Sequence, residues 1–215
     1  MHYIPYVNSP ELLKKAYHSA RFMQDVTIID NRGFFSVDED PKQYFKLSKG
    51  HKWKKLDVSL TTAQIMNYML LDSYKRGDAF FTWQHGDVEY EPSIGRDFEK
   101  YVAGLTGTDW GIIYTHHDLL AAYNVKNLLS INGWDQHSFP YYFLDNDIAS
   151  RLDKAGFKLV ISSLSESIIH HSSATINSDP FRKYISNLIF PISSKLYSER
   201  HGDHQVTHIG AHEYS

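Results

Sequence analysis

The chain predicts an α/β fold: a mostly parallel central sheet with helices on both faces. Three observations carry this. Short apolar runs alternate with amphipathic helical segments, the order through the first half reads β-α-β-α-β-α-β, and polar clusters follow the apolar runs. In such sheets ligands sit beyond the carboxyl ends of the strands, so those polar clusters are where a site is expected.

The elements follow in order. "HYIPYV" is short and apolar, a first strand. "NSPELLKKAYHSARFM" then predicts a helix: Ser9 can cap it, Pro10 suits its first position, and Leu12, Leu13, Ala16 and Ala20 make an apolar face. "DVTIID" reads as a buried strand ending in the polar turn "DNRG". "TTAQIMNYMLLDSYKRG" is a second amphipathic helix, and "DAFFTWQHGD" an apolar strand running into acid. "SIGRDFEKYVAGL" is a helix leading to the strand "DWGIIYT". Further on, Ile148, Ala149, Leu152 and Ala155 of "DNDIASRLDKAG" recur on one helical face closed by Gly156. The last thirty-odd residues turn rich in His and Ser, and are expected to form a trailing helix and lid.

With 215 residues, the chain suits one large domain, or a domain with a small appendage. Its composition, 42% hydrophobic and 14% aromatic, can fill a core, which argues against disorder. The absence of cysteine excludes disulfides, thiolate zinc sites and cysteine nucleophiles, and fits a reducing compartment. "MHYIPYVNSPELLKK" lacks the charged and apolar regions of a signal peptide, and no apolar run reaches a membrane span. A cytoplasmic protein is expected. A net charge of −3 argues against a generally basic nucleic-acid binder. The charge is uneven, however: "PKQYFKLSKGHKWKK" (Pro41 to Lys55) has six lysines and no acid. It reads either as a solvated loop or as a surface that meets phosphate. Tyr44, Phe45 and Trp53 lie among those charges, a mixture that also suits a polyanionic, base-bearing acceptor.

Chemistry-bearing residues concentrate at strand ends. In "FFTWQHGDVEY", His85, Asp87 and Glu89 stand at alternating positions as the strand ends, and on extended backbone they can converge on a divalent cation. "SIIHHSSAT" adds His170 and His171 after an apolar run. His116, His117, His201, His204, His208 and His212 show no metal-ligand spacing. Asp135 follows a Gly-Trp pair, and Asp145 and Asp147 open a helix, where carboxylates also serve simply to face the helix dipole. No G-x-S-x-G elbow, P-loop or G-x-G-x-x-G fingerprint is present.

The order of these pieces resembles that of family-2-like glycosyltransferases with the glycosyltransferase-A (GT-A) fold, a Rossmann-type sandwich. "YIPYVNSPELLKKA…VTIIDNRG" resembles their first β-α-β unit. "LTTAQIMNYMLLDSYKRGDAFFTWQHGDVEY" resembles the helix and strand that deliver an acid-x-acid motif, and "NVKNLLSINGWDQHSFPYYFLDNDIASRLDKAGFK" resembles the segment carrying their catalytic base. "IIHHSSAT" is similar to an H-x-x-S-x-T element read with His170, Ser173 and Thr175. "YSERHGDHQVTHIGAHEY" is similar to a C-terminal K-W-G-G-x-x-G-x-E segment. The likeness spans nearly the whole chain: about 1–115 as a nucleotide-binding half, about 116–180 as an acceptor and catalytic half, and about 181–215 as a C-terminal helix and lid. Two departures stand out. Leu144 takes the place of the first acid of the family's E-D pair, and the acid-x-acid register is open between His85-Gly86-Asp87 and Asp87-Val88-Glu89.

The resemblance implies a metal-dependent transferase that moves a sugar from a nucleoside-diphosphate sugar, a UDP-sugar foremost, to an acceptor hydroxyl with inversion. It implies Asp145 as general base and Asp87, Glu89 and His170 as ligands of Mn²⁺ or Mg²⁺. Pro5, Tyr6, Asn8, Asp30 and Asn67 would line the nucleotide pocket. Gly133, Trp134, Asp135 and Asp147 would build the sugar and acceptor pocket, Trp134 by stacking on a sugar face. The acceptor is expected to be a glycan, a lipid-linked sugar, a protein hydroxyl or a modified DNA base. The competing readings are a nucleotidyltransferase-like enzyme, whose Gly- and basic-rich first loop "PYVNSPELL" lacks, and a non-catalytic carbohydrate- or nucleic-acid-binding protein on the same fold.

Overall fold

A computed structural model describes residues 1–32, 45–105, 109–115, 118–162, 164, 168–171 and 180–202. The first half runs β1 (His2–Tyr6), α1 (Pro10–Ala20), β2 (Val26–Asp30), β3 (Lys52–Lys55), α2 (Thr62–Arg76), β4 (Phe80–Gln84), β5 (Val88–Tyr90) and α3 (Pro92–Gly104). The second half adds β6 (Trp110–Tyr114), β7 (Leu120–Asn124), α4 (Val125–Ser130), α5 (Leu144–Lys154), β8 (Lys158–Ile161), β9 (Ile168–His170) and a long α6 (Pro180–His201).

Local chemistry sets the helix ends, at α1 as the sequence predicts. Ser9 accepts from the Leu12 amide, with Pro10 opening α1. Thr61 and Gln64 form a reciprocal capping box at α2, and Gly77 closes that helix in the left-handed conformation.

The strands β3-β2-β1-β4-β7-β6-β8 form one seven-stranded sheet. β1 pairs in parallel with β2 and β4, β2 with β3, and β6 with β8, while β7 runs antiparallel between β4 and β6. The sheet is therefore mostly parallel, as expected. Alternation along the strands divides the core. Tyr3, Ile29, Ile112 and Tyr114 face α2, α4 and α5, whereas Ile4 and Ile28 pack on the α1 side and Ile113 on the α3 side. β5 and β9 form a separate two-stranded ribbon, Val88 opposite His170.

The sequence reading differs from this architecture at two places. Lys52–Lys55, within the lysine-rich segment, is an edge strand, and lysines along an unpaired sheet edge discourage intermolecular pairing. Lys54 lies 3.8 Å from Asp72 and 4.6 Å from the centre of the Tyr68 ring. The antiparallel β7 was not anticipated, because "LLAAYN" is short and lacks the alternation of a half-exposed strand. The trailing segment, expected as a helix and lid, opens with a 22-residue helix. Gly33, Lys42, Tyr44, His116, His117, Ser173, Thr175, His204, His208, His212 and the expected lid lie outside the described residues.

Candidate functional site

The strand-end cluster comes together at the carboxyl end of β4. After Gln84 the chain turns at 85–88, the Val88 amide donating to the His85 carbonyl at 3.3 Å. Gly86 is needed there, since a Cβ would stand 2.8 Å from the Pro5 carbonyl oxygen. The turn is thus pressed against the end of β1. β9 runs alongside β5, and the His171 amide donates to the Asp87 carbonyl at 3.0 Å, which brings His170 to the same point. His85, Asp87 and His170 each offer a ligand atom, all within 4.8 Å of one another. Two imidazoles and a carboxylate are a fitting donor set for a divalent transition ion such as Mn²⁺, and a less natural one for Mg²⁺, which prefers oxygen.

The first of the two open registers is the one the turn assembles. Asp87 and His170 both stand in that cluster, His170 Nε2 3.5 Å from Asp87 Oδ1. Glu89 does not. Its carboxylate meets His171 at 3.0 Å and Lys15 at 3.3 Å. The correction has a simple cause: same-side alternation holds only along extended backbone, and Asp87 sits in the turn, one step before β5 begins.

Beside the cluster stands a residue absent from the sequence-derived set. Asp118, in the turn between β6 and β7, accepts from or pairs with His85 Nε2 at 3.1 Å. A carboxylate on one ring nitrogen orients the imidazole and leaves the other nitrogen for a cation. Burial works against charge on His85, but Asp118, Asp87 and Asp145 outweigh it and push its pKa up to about 9. Burial likewise opposes ionisation of Asp87, yet His170 and His85 hold its carboxyl below the usual carboxylate range. The clue to Asp118 was the same one that exposed Asp87, an acid just past an apolar strand, here in "WGIIYTHHD".

Asp145 lies in the first turn of α5, where Phe143 precedes the helix with φ of 60°. Burial, and after it the negative charge of Asp118, push its carboxyl up to about 7, against the opposing backbone hydrogen bonds at Asp145 and Asn146 and the charge of His85. A carboxyl poised near neutrality suits proton transfer.

The expected nucleotide pocket borders this cluster through Pro5 at the end of β1. Asp30, buried at the end of β2, is gripped by Arg32 through Nε and Nη2, both at 2.9 Å. The Arg32 guanidinium lies 5.0 Å from the centre of the Tyr6 ring, and Trp53 flanks Tyr6 at 6.0 Å. Asn8 is half-buried beyond β1. Asn67 lies elsewhere: its amide clasps the main chain of Trp134, accepting at 2.9 Å and donating at 2.8 Å. Its visible work is to hold the 133–134 turn.

That turn corrects the expected sugar pocket. Gly133 has φ of +61°, and a Cβ there would meet Asn67 Oδ1 at 2.5 Å, so only glycine fits. Trp134 is 3% exposed, packed on Tyr123 (5.1 Å) and Phe81 (6.4 Å), a core residue with no free face for stacking on a sugar. Asp135 caps its own loop, accepting from the His137 and Ser138 amides at 3.0 Å, and binds Arg200 Nη1 at 2.7 Å. Burial opposes its ionisation, but these donors hold its carboxyl well below the usual range. Asp147 is fully buried and meets Arg151 at 2.7 Å, His201 at 2.9 Å and Arg200 at 3.3 Å. Both carboxylates fasten the last turn of α6, which leaves Asp147 no face for substrate.

No protein-family model matches the chain, and no curated protein matches it. Solved structures do. S. aureus TarS 1-349 is similar at a TM-score of 0.52 and 11% identity, over 75% of this chain and 57% of that one. A candidate nucleotide-diphospho-sugar transferase from Desulfovibrio desulfuricans G20 is similar at 0.52 and 12%, over 75% and 78%. GalNAc-T7, solved with UDP, GalNAc and Mn²⁺, is similar at 0.57 and 10%, over 74% and 41%. This chain thus spans little more than half of TarS 1-349. At such identities the likeness is one of fold. The fold is GT-A-like.

Proposed function

We propose that the protein is a metal-assisted glycosyltransferase using a nucleoside-diphosphate sugar, with a UDP-sugar the first candidate. The observation that carries this is the convergence of His85, Asp87 and His170 at a strand end, with Asp145 close enough to feel the charges of His85 and Asp118. A GT-A-like fold, and neighbours solved with UDP-GlcNAc or with UDP and Mn²⁺, support the donor class.

His85, Asp87 and His170 would hold the cation, and Asp118 would orient His85. When bound, the ion neutralises charge on the departing diphosphate. Asp145 accepts the acceptor hydroxyl's proton as that oxygen bonds to the anomeric carbon. The bond from that carbon to the diphosphate oxygen breaks, its electron pair leaves with the nucleoside diphosphate, and the configuration inverts. Tyr6, Asp30 and Asn8, with Arg32 and Trp53, would frame the nucleotide. Gly133 and Asn67 set the turn that leads into the helix carrying Asp145. The edge-strand setting of Lys52, Lys54 and Lys55 gives these lysines a structural reason, so a glycan, lipid-linked or protein hydroxyl is favoured over a modified DNA base as acceptor.

The test is hydrolysis of a panel of nucleotide sugars with Mn²⁺, with Mg²⁺ and with EDTA. Turnover of one donor with Mn²⁺, lost in Asp145→Asn while donor binding stays within about threefold, is expected (threefold is well under 1 kcal/mol). No donor turned over under any condition, or an Asp145→Asn rate within about threefold of wild type, overturns the assignment.

A further inference from the structure

The chain leaves β4 at Gln84, turns through His85 and Asp87, and returns along β5 to Tyr90. The side chains at the two ends of that turn meet directly. The Tyr90 hydroxyl donates to Gln84 Oε1, and the same oxygen accepts from His2 Nε2 at 2.9 Å. Gln84 Nε2 donates to the Ala16 carbonyl at 3.0 Å, and the Tyr90 amide donates to Ser19 Oγ at 2.9 Å. Ala16 and Ser19 are about one turn apart on α1, so one stretch of helix holds both ends. Thr82 Oγ1 completes the network, 2.9 Å from His2 Nδ1. His2, Ser19 and Gln84 are fully buried, and Thr82 and Tyr90 nearly so.

The bonding fixes each group's role. A backbone carbonyl only accepts, so the Gln84 amide turns its nitrogen to Ala16 and its oxygen to Tyr90 and His2. That oxygen also only accepts, so His2 carries its hydrogen on Nε2 and takes the Thr82 hydroxyl hydrogen on Nδ1. Burial pushes the His2 imidazole down to about 3, which keeps it neutral in this place. Such a network adds little net stability, since apolar groups of the same shape in place of both partners are often nearly neutral. What it adds is direction, because a fully satisfied buried network holds its members in one arrangement. Here that arrangement has a chemical use. Gln84 directly precedes His85, Tyr90 ends β5, and β5 carries β9 with His170 opposite Val88. Tying Gln84 to Tyr90 therefore sets where His85, Asp87 and His170 stand.

We propose that Gln84 and Tyr90, backed by His2, are positioning residues: a clamp across the base of the 85–89 turn that pre-sets His85, Asp87 and His170 for a divalent cation. The clamp touches neither ion nor substrate. It lowers the ordering that binding would otherwise require, since the ligand-bearing turn is already held in place. The inference rests on the cation centre proposed above and not on sugar transfer, so metal binding alone reads it.

The experiment titrates the full chain with Mn²⁺ well below its melting temperature, following the paramagnetic resonance signal of the free ion. Tyr90→Phe removes one hydroxyl and keeps the ring, and Gln84→Met keeps the length and removes the amide. Both should weaken Mn²⁺ binding by about tenfold or more, the range seen for partners placed behind metal ligands, while circular dichroism shows them folded. Tyr90→Phe, the milder change, decides the matter if Gln84→Met does not fold. Ile28→Val, in the core on the same side of the sheet, is the control. It should lower the melting temperature and leave Mn²⁺ affinity within about twofold, about 0.4 kcal/mol. Tyr90→Phe binding within about twofold of wild type, whatever its melting temperature, overturns the clamp and leaves the cation centre standing. A loss in Ile28→Val as large as in Tyr90→Phe also overturns it, since any damage to the core would then do the same. A wild type that binds no Mn²⁺ overturns the cation centre and the clamp with it.

Discussion

Asp145 and Asp147 stand two residues apart in the first turn of α5, yet do opposite things. Two steps along an α-helix rotate a side chain by about 200°, so one carboxylate turns toward His85 and Asp118 and the other into the seam with α6. Sequence marks both as carboxylates at a helix start and cannot tell the sides apart, because the side is set by partners distant in the chain, Asp118 for the one and His201 for the other. Glu89 falls outside the cluster for a related reason: a turn at Asp87 undoes the alternation that would place it with His85 and Asp87. The raised pKa of Asp145 makes two predictions. As the proposed base, Asp145 would take the proton in its ionised form, so turnover should climb as pH rises toward about 7, and at lower pH when a cation is bound. A carboxyl raised above its unfolded value of about 4 contributes stability that is complete below that value and lost as pH rises through about 7. In EDTA, Asp145→Asn should therefore gain on the wild type between pH 5 and pH 8, by on the order of 1–2 kcal/mol after allowing for partial solvent access. A melting difference that stays constant across that range would show that Asp145 ionises as an ordinary surface acid.

Among the elements, helix ends were read from the sequence with most success, since their signals are local. Ser9 and Pro10 open α1 where their chemistry says they should, and Gly156 lies just past the end of α5 with φ of +83°. The loop from Gly133 to Ser138 is a different matter. It resembles a sugar pocket in sequence, but in the fold it is a bracket: Asn67 clasps Trp134, and Asp135 and Ser138 receive Arg200. Nothing near Asp135 or Asp147 in sequence announces Arg200 or His201. The bracket predicts how these residues fail. Asp147→Ala leaves Arg151, Arg200 and His201 around a missing charge and should cost roughly 3 kcal/mol in chemical denaturation. Gly133→Ala forces a left-handed backbone and a clash with Asn67, and should cost about 1–3 kcal/mol. In both variants the donor's KM should hold better than the stability does. A stable Asp147→Ala with lost donor binding would return Asp147 to the substrate pocket.

Over the whole molecule, the β-α repeat and the strand-end polar clusters were enough to give the mostly parallel sheet and to mark the strand ends where polar residues gather, because both follow from alternation and burial alone. The antiparallel β7 and the β5–β9 ribbon were not legible, since each depends on pairing between distant segments. The site is built from just such pairings: the turn after β4, the β6–β7 turn, β9 and the start of α5. Its residues therefore converge only in the folded chain, and a molecule that needs them together stabilises the native state alone. UDP at about a hundred times its dissociation constant should add roughly 2.7 kcal/mol, or about 5–10 °C of melting temperature in a chain of this size. That shift should be larger with Mn²⁺ than with EDTA, and Asp87→Ala should remove the metal-dependent part. Glu89→Gln is the decisive control: its carboxylate serves His171 and Lys15, so the metal-dependent shift should survive the change. If Glu89→Gln loses the shift as fully as Asp87→Ala does, the cation sits in the other register and the His85-Asp87-His170 centre is wrong. Equal shifts in Mn²⁺ and EDTA would remove the metal from the site altogether.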